Sequence, residues 1–255
     1  MVATVPETWT VVSNGRLVET KTNTSQKTKT FHYSQEQPHV TYLISVVAGE
    51  FEKYADDFGG TPVEYYVPQG TGEAKARRSF GVTADAVKFF SEKIGFRYPY
   101  AKYAQSAVTD FIYGGMENIS ATTQTDRTLH AEVSEPVVSS EGLVAHELAH
   151  QWWGDLVTCN EWAHAWLNEG FATYFASLYT EHHRGKDEFQ YEMLGHARAY
   201  ISEDAGEYRR PIVCNWYTDP IDLFDSHLYP KGGWVLHMLR GMLGDDLFWK
   251  GINLR

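Results

Sequence analysis

His146-Glu147-Leu148-Ala149-His150, followed by Glu169, is the stretch from which this 255-residue chain is best read. On a helix, residues four apart leave the same face about one turn apart, so His146 and His150 present two imidazoles together. Two imidazoles and one carboxylate form a donor set suited to a zinc ion that keeps one position open for water. Glu147 leaves the helix at a neighbouring angle, where it can take a proton from that water. The flanking residues favour a helix with one buried side. Ser139-Ser140-Glu141 can cap it, and Leu143, Val144, Leu148 and Trp152 supply an apolar face. A second helical pattern opens at Glu169 with Phe171, Tyr174, Phe175 and Leu178. The plain alternative, a surface helix with two unrelated histidines, explains neither the cap nor the apolar face. The residues therefore predict a zinc hydrolase.

Composition narrows the class further. A net charge of −11 speaks against nucleic acid, which requires basic patches, and suits a soluble surface. Eight Trp and sixteen Tyr are enough to build a sizeable core. Two cysteines, Cys159 and Cys214, form neither a disulfide framework nor a Cys-x-x-Cys metal pair, and no local pattern marks Cys159 as a nucleophile. No apolar run approaches the roughly 20 residues needed to span a bilayer. The first twenty residues lack a basic start followed by an apolar core, so no signal peptide is visible. That gives the cytoplasm as the default expectation and leaves the compartment open, because the N-terminus need not be complete.

The chain reads as α+β, strands first and helices later. Residues 1–70 carry β-prone runs. Thr8–Val12 and Arg16–Val18 flank the turn signal Ser13-Asn14-Gly15, Thr28–Tyr33 alternates, and Val40–Val47 and Val63–Val67 are rich in β-branched and aromatic residues. The Thr- and Lys-rich residues 20–30 suit a solvated hairpin. Pro68-Gln69-Gly70-Thr71-Gly72 breaks the pattern, and a domain boundary is expected there. From Glu73 the spacing of Ala76, Phe80, Ala84, Val87 and Phe90 predicts one helix ending near Gly95. Tyr103–Thr109 and Ile119–Thr123 read as strands. Helices are expected over 140–154, 166–184, 187–203 and 229–243.

A second constellation, Gly114-Gly115-Met116-Glu117-Asn118, sits at a turn into a strand. A Gly pair permits close backbone approach, though an ordinary turn would use it as well. A functional reading makes Glu117 the anchor of a substrate ammonium group. A zinc dication with Glu169, Glu147 and Glu117 ionised leaves a site near −1, and one protonated amine brings it near zero.

With these three segments on the page, a family resemblance becomes specific. Gly114-Gly115-Met116-Glu117-Asn118, His146 through Gly154, and Trp166-Leu167-Asn168-Glu169-Gly170-Phe171-Ala172 together resemble the M1 family of zinc aminopeptidases. This is the gluzincin group with the HEXXH motif, which includes the leukotriene A4 hydrolase type. The family places eighteen residues between its second His and its ligand Glu, and residues 151–168 supply that spacer. The similarity extends through Trp9–Gly15 and Thr41–Phe51.

The resemblance implies roles residue by residue. His146, His150 and Glu169 are the ligands of one zinc ion, and Glu147 is the general base. Glu117 binds the substrate α-amine, with Gly114 and Gly115 along the peptide backbone and Met116 and Asn118 completing the substrate-binding segment. Tyr229, in Tyr229-Pro230-Lys231-Gly232-Gly233, aligns with the tyrosine that stabilises the oxyanion; chemistry alone does not select it from sixteen Tyr. The implied activity is removal of the N-terminal residue from peptides with a free N-terminus, through a zinc-activated water.

The implied architecture is the end of an N-terminal β-sheet domain (1–70), then a thermolysin-like zinc catalytic domain with a small sheet and mainly helices (71–255), incomplete at its C-terminus. An upstream part of the β domain and a long helical C-terminal region, present in the family, are expected to belong to a longer chain. Three positions depart from the family pattern: Trp153 stands where Phe is common, Asp155 where Asn is common, and Pro230 where Glu is common. A zinc endopeptidase or epoxide hydrolase on the same scaffold, or an inactive scaffold-like fragment, are the alternatives. The remaining histidines, including His130 and His227, lack ligand-like spacing and are expected to be surface or internally satisfied. Trp152, Trp153, Trp162 and Trp166 are expected to serve helix packing.

Overall fold

The computed structural model describes residues 1–135 and 137–253. The chain divides into two compact units. The first comprises Met1–Val87 and Pro99–Glu147; the second comprises Lys88–Tyr98 and the chain from Leu148 onward. The last two residues of the catalytic domain expected over 71–255 lie outside the described residues.

In chain order the elements are β1 (Val2–Pro6), β2 (Thr10–Ser13), β3 (Arg16–Asn23), β4 (Thr28–Ser34), β5 (Val46–Gly49), β6 (Phe51–Phe58), β7 (Thr61–Pro68), α1 (Glu73–Phe80) and α2 (Thr83–Ile94). They continue with β8 (Tyr103–Val108), β9 (Gly115–Met116), β10 (Ala121–Thr125), α3 (Glu141–Ala149), α4 (Trp166–Arg184), α5 (Lys186–Gly206), α6 (Pro230–Leu243) and α7 (Asp245–Ile252). The expected α+β class holds. Among the described residues no helix is long and apolar enough to cross a membrane.

The first unit holds the sheets. β1, β4 and β3 form one in that order, β2 and β5 another, and β6-β7-β8-β10-β9 the largest. In the largest sheet β7, β8 and β10 run parallel to one another, while β6 and β9 are antiparallel edges. Its strands come from both sides of the Pro68–Gly72 break. The β3–β4 hairpin covers residues 20–30, with β3 exposed throughout, as its Thr- and Lys-rich sequence suggests.

Ser13-Asn14-Gly15 lies between β2 and β3, as expected, but it joins no hairpin, because β2 pairs with β5 and β3 with β4. Instead the turn is a buried junction. Asn14 Nδ2 donates to the carbonyls of Leu43 (2.9 Å) and Ile119 (2.7 Å), and Asn14 Oδ1 accepts from Ser45 N–H (2.8 Å). Gly15 has φ +75°, and a Cβ there would meet Ser34 O at 2.1 Å, so only glycine fits.

The Val40–Val47 run is not one strand. A 3-10 turn at Thr41–Leu43 drives Leu43 into the core before β5 begins at Val46. The helix expected from Glu73 to Gly95 is two, interrupted at Gly81-Val82. The Thr83 hydroxyl donates to Phe80 O (2.6 Å), and glycine is a weak helix former, so the apolar period continues while the backbone ladder does not. Thr83 also serves the sheet. Its hydroxyl accepts from Gln105 Nε2 (2.7 Å), and Gln105 Oε1 accepts from Gln124 Nε2 (2.5 Å), so the fully buried amides of β8 and β10 are linked to each other and to Thr83.

The second unit is helical and built around α4. Phe90 sits centrally, its ring 6.0 Å from both Trp152 and Phe175 and 6.1 Å from Tyr179. Trp152 Nε1 donates to Phe96 O (2.9 Å), which gives the buried indole its partner. α6 packs along α4 through two glycines. A Cβ on Gly232 would lie 2.7 Å from Gly170 Cα, so the two backbones approach as closely as glycine allows.

Candidate active site

α3 begins where Ser139 Oγ accepts from Glu141 N–H (3.2 Å), as the Ser-Ser-Glu signature predicts. Val144, Leu148 and Trp152 are buried and Leu143 is half-buried, which accounts for the apolar face. The helix closes one residue earlier than the motif needs. α3 ends at Ala149, and His150 is the first residue of the turn that follows. Asp155 N–H donates to His150 O (3.0 Å), and Gly154, at φ +133°, brings the turn close around the His150 ring.

His146, His150 and Glu169 each offer a ligand atom, all within 4.8 Å of one another. Glu169 comes from the first turn of α4, and its Oε2 lies 3.0 Å from His150 Nε2. His150 is 1 % and Glu169 5 % exposed. The Trp153 carbonyl lies 2.9 Å from His150 Nδ1. A carbonyl only accepts, so Nδ1 carries the proton, which leaves Nε2 as the nitrogen able to take a metal. No spacing rule in the sequence marks Trp153, because its contribution is a backbone oxygen. Its indole packs at 4.5 Å from Phe171 and 5.4 Å from Phe175, so packing accounts for the side chain.

Glu147 is 5 % exposed and lies directly against the backbone of Gly115. A Cβ on Gly115 would fall 2.3 Å from Glu147 Oε1 and 2.6 Å from its Cγ. The second glycine of the Gly-Gly-Met-Glu-Asn segment thus has a steric reason: it leaves room for the motif carboxylate. Gly115 and Met116 form β9, the edge of the five-stranded sheet, paired with Gln124 and Thr123 of β10. Thr125 N–H donates to Gly114 O (2.9 Å), which fixes the approach to that edge. Glu117 is 8 % exposed. Asn118 uses its amide internally: Oδ1 accepts from the Thr123 hydroxyl (2.9 Å) and Nδ2 donates to Ile44 O (3.4 Å).

Tyr229 immediately precedes α6, half-buried, with its ring 6.2 Å from that of Phe224. Pro230 takes the first helical position, where its missing N–H costs nothing. Cys159 is held as a thiol, since burial pushes its pKa up and nearby Glu169 adds to the effect. Asn168, next to Glu169, accepts from Cys159 N–H (3.1 Å).

A second group with metal-ligating side chains, Glu203, Asp225 and His227, lies in the helical unit. No local pattern of residues marks it. His227 is buried, and both ring nitrogens face carboxylates, so it is an internally satisfied histidine. His130 is satisfied likewise, with Nδ1 3.0 Å from Ser140 Oγ.

Comparison with known proteins shows the family. The model of the peptidase family M1 domain matches residues 78–254. Aminopeptidase M1 of Arabidopsis thaliana is 32% identical over 97% of this chain, and Aminopeptidase M1-A of Oryza sativa subsp. japonica is 34% identical over 97%. Aminopeptidase N of Rattus norvegicus is 33% identical over 84%. The chain spans 29% of the length of the two plant proteins and 23% of the rat protein.

Proposed function

Because this chain belongs to peptidase family M1, we propose that it is the catalytic portion of a zinc-dependent aminopeptidase, removing the N-terminal residue from peptides. The observation that carries this reading is the donor set of His146, His150 and Glu169, the last two buried, with Glu147 beside it in sequence. The donor set fits zinc. Ligand atoms around a tetrahedral zinc, at bonds of about 2.0–2.1 Å, sit about 3.3 Å apart, close to the 3.0 Å between His150 Nε2 and Glu169 Oε2. The His150 tautomer set by the Trp153 carbonyl is the one a metal requires.

When bound, zinc supplies Lewis acidity, bringing the pKa of water toward ~7 and polarising the substrate carbonyl. The chain's own residues do the rest. Glu147 accepts a proton from the attacking water and returns it to the leaving amine. The Tyr229 hydroxyl donates to the oxyanion. Glu117 holds the substrate α-ammonium, which sets the register at one residue per cleavage. Gly115 and Met116, led into by Gly114, form an edge strand, and a sheet edge suits an extended peptide by strand addition. Asn118, tied to Thr123 and Ile44, holds that segment in place. On this reading residues 1–70 close an N-terminal β domain, 71–255 belong to the thermolysin-like catalytic domain, and further β and helical regions belong to a longer chain.

The test is hydrolysis of a panel of aminoacyl arylamides before and after chelation, with zinc added back. Activity that disappears with chelator, returns with zinc and is absent on N-acylated substrates is the expected result. Equal hydrolysis of free and N-blocked peptides favours an endopeptidase instead.

A further inference from the structure

Building on the proposed role of Tyr229, we infer that Arg210, Asp225 and His227 form a buried charged strut that positions this tyrosine for the reaction. The need for such a device is local. Tyr229 opens α6 without capping it through its side chain, and Pro230 follows. The turn before it is organised by Asp225. One carboxylate oxygen, Oδ1, accepts from the N–H groups of His227 (2.9 Å) and Leu228 (3.0 Å). The Asp225 main-chain oxygen accepts from Leu228 N–H (3.0 Å) and Tyr229 N–H (3.2 Å). Every residue from 227 to 229 is therefore hydrogen-bonded to Asp225.

Asp225 is itself clamped. Arg210, 5 % exposed, donates from Nη2 to Oδ1 (2.6 Å) and from Nε to Oδ2 (2.7 Å), the bidentate fork that fixes a carboxylate plane. Arg210 is anchored in turn by Leu223 O (2.8 Å) and Pro211 O (3.0 Å). The Tyr208 hydroxyl donates to Asp225 Oδ2 as well. His227, 0 % exposed, ties the same turn to α5, with Nδ1 3.1 Å from Glu203 Oε1 and Nε2 3.2 Å from Asp204 Oδ1. Ser226 N–H also donates to Glu203 Oε1 (3.0 Å).

The cluster is not a second metal centre. Arg210 already fills the cation position beside Asp225, and the Glu203 oxygen that faces His227 also accepts from Ser226 N–H. Asp225 is saturated by Arg210, Tyr208 and two backbone amides. Nor does stability alone explain it, because a buried ion pair is often matched by apolar residues of similar volume. What the pair adds is a fixed geometry. One turn beyond Tyr229, Gly232 abuts Gly170, the neighbour of Glu169. Tyr229 is thus held from both sides, by the strut before it and by the glycine contact after it.

The test combines kinetics with a probe that needs no turnover. 3-Fluorotyrosine placed at 229 reports the ring environment by fluorine NMR, and aminoacyl arylamides report kcat and KM. In Asp225→Asn and Arg210→Met the Tyr229 signal is expected to shift and broaden. kcat should fall on the order of 100-fold, the scale of a small misplacement, with KM and zinc content unchanged. Arg210→Lys, which keeps charge but loses the fork, should recover part of both. In a Tyr229→Phe background the further loss of kcat should vanish. An unchanged fluorine signal in folded variants, or an undiminished effect in the Tyr229→Phe background, overturns the proposal. If Arg210→Met does not fold, Asp225→Asn and Arg210→Lys carry the test. A parent protein without zinc-dependent hydrolysis counts against the proposed function, and the fluorine signal then decides the strut alone.

Discussion

Gly170 on α4 and Gly232 on α6 touch backbone to backbone, each leaving less than 3 Å for a Cβ on the other. The contact lies beside Glu169 and one turn from Tyr229, so the spacing of the two helices also governs proposed site residues. Gly232→Ala should force the helices apart and destabilise the fold by about 1–3 kcal/mol, the usual cost of overpacking. Urea denaturation measures this, and an unchanged midpoint refutes it.

Glu147→Gln should retain zinc and lose turnover by a factor on the order of 10²–10⁴, the contribution typical of a positioned base. Metal analysis alongside kinetics separates the two effects. Loss of zinc with this substitution points to a ligand-supporting role instead. Gly115→Val should mimic the kinetic defect, because any side chain at 115 occupies the space of the Glu147 carboxylate.

Glu117→Ala should raise KM for substrates with a free N-terminus and abolish their advantage over N-acylated ones. The comparison is made within the same variant, so a general loss of activity does not mimic the result. An advantage that survives the substitution places the amine contact elsewhere.

Lys102 gives the first unit a pH dependence of known sign. Its ammonium is buried, donating to Ser13 O (2.8 Å) and Ser120 O (3.1 Å). Burial brings its pKa down to about 7, against about 10.5 for a free lysine. Between these values the unfolded chain binds one proton more than the folded one, so this group makes stability rise with pH across that window. The gain is complete above the unfolded value and lost as pH falls through about 7. Denaturation midpoints of Lys102→Met, subtracted from those of the parent at each pH, should isolate this slope. A difference that stays constant with pH argues against it.

Much of this was legible in the residues, for identifiable reasons. α4 was expected over 166–184 and spans Trp166–Arg184, because its apolar face repeats at helical spacing and Gly185 stops it. The metal-ligating group was legible because its chemistry is carried by side chains a fixed distance apart along the chain. The Gly81 interruption escaped because apolar periodicity runs on through it. The Trp153 carbonyl escaped because every residue has one. The Arg210–Asp225–His227 strut escaped because its partners are separated by irregular chain, where no period relates one charge to another. Gly170 and Gly232 look like weak points in two helices until the helices are seen to touch.

The metal-ligating group has a consequence for how the protein comes to exist. All its members lie between His146 and Glu169, within one α-helix end, one turn and one helix start. Closing so short a loop costs little entropy, and lengthening it would add only slowly to that cost. The first unit, by contrast, rests on contacts such as Asn14 with Ile119, 105 residues apart, and contacts of such separation form slowly. On the proposed reading the candidate ligands can therefore come together from local chain alone, before such distant contacts are made.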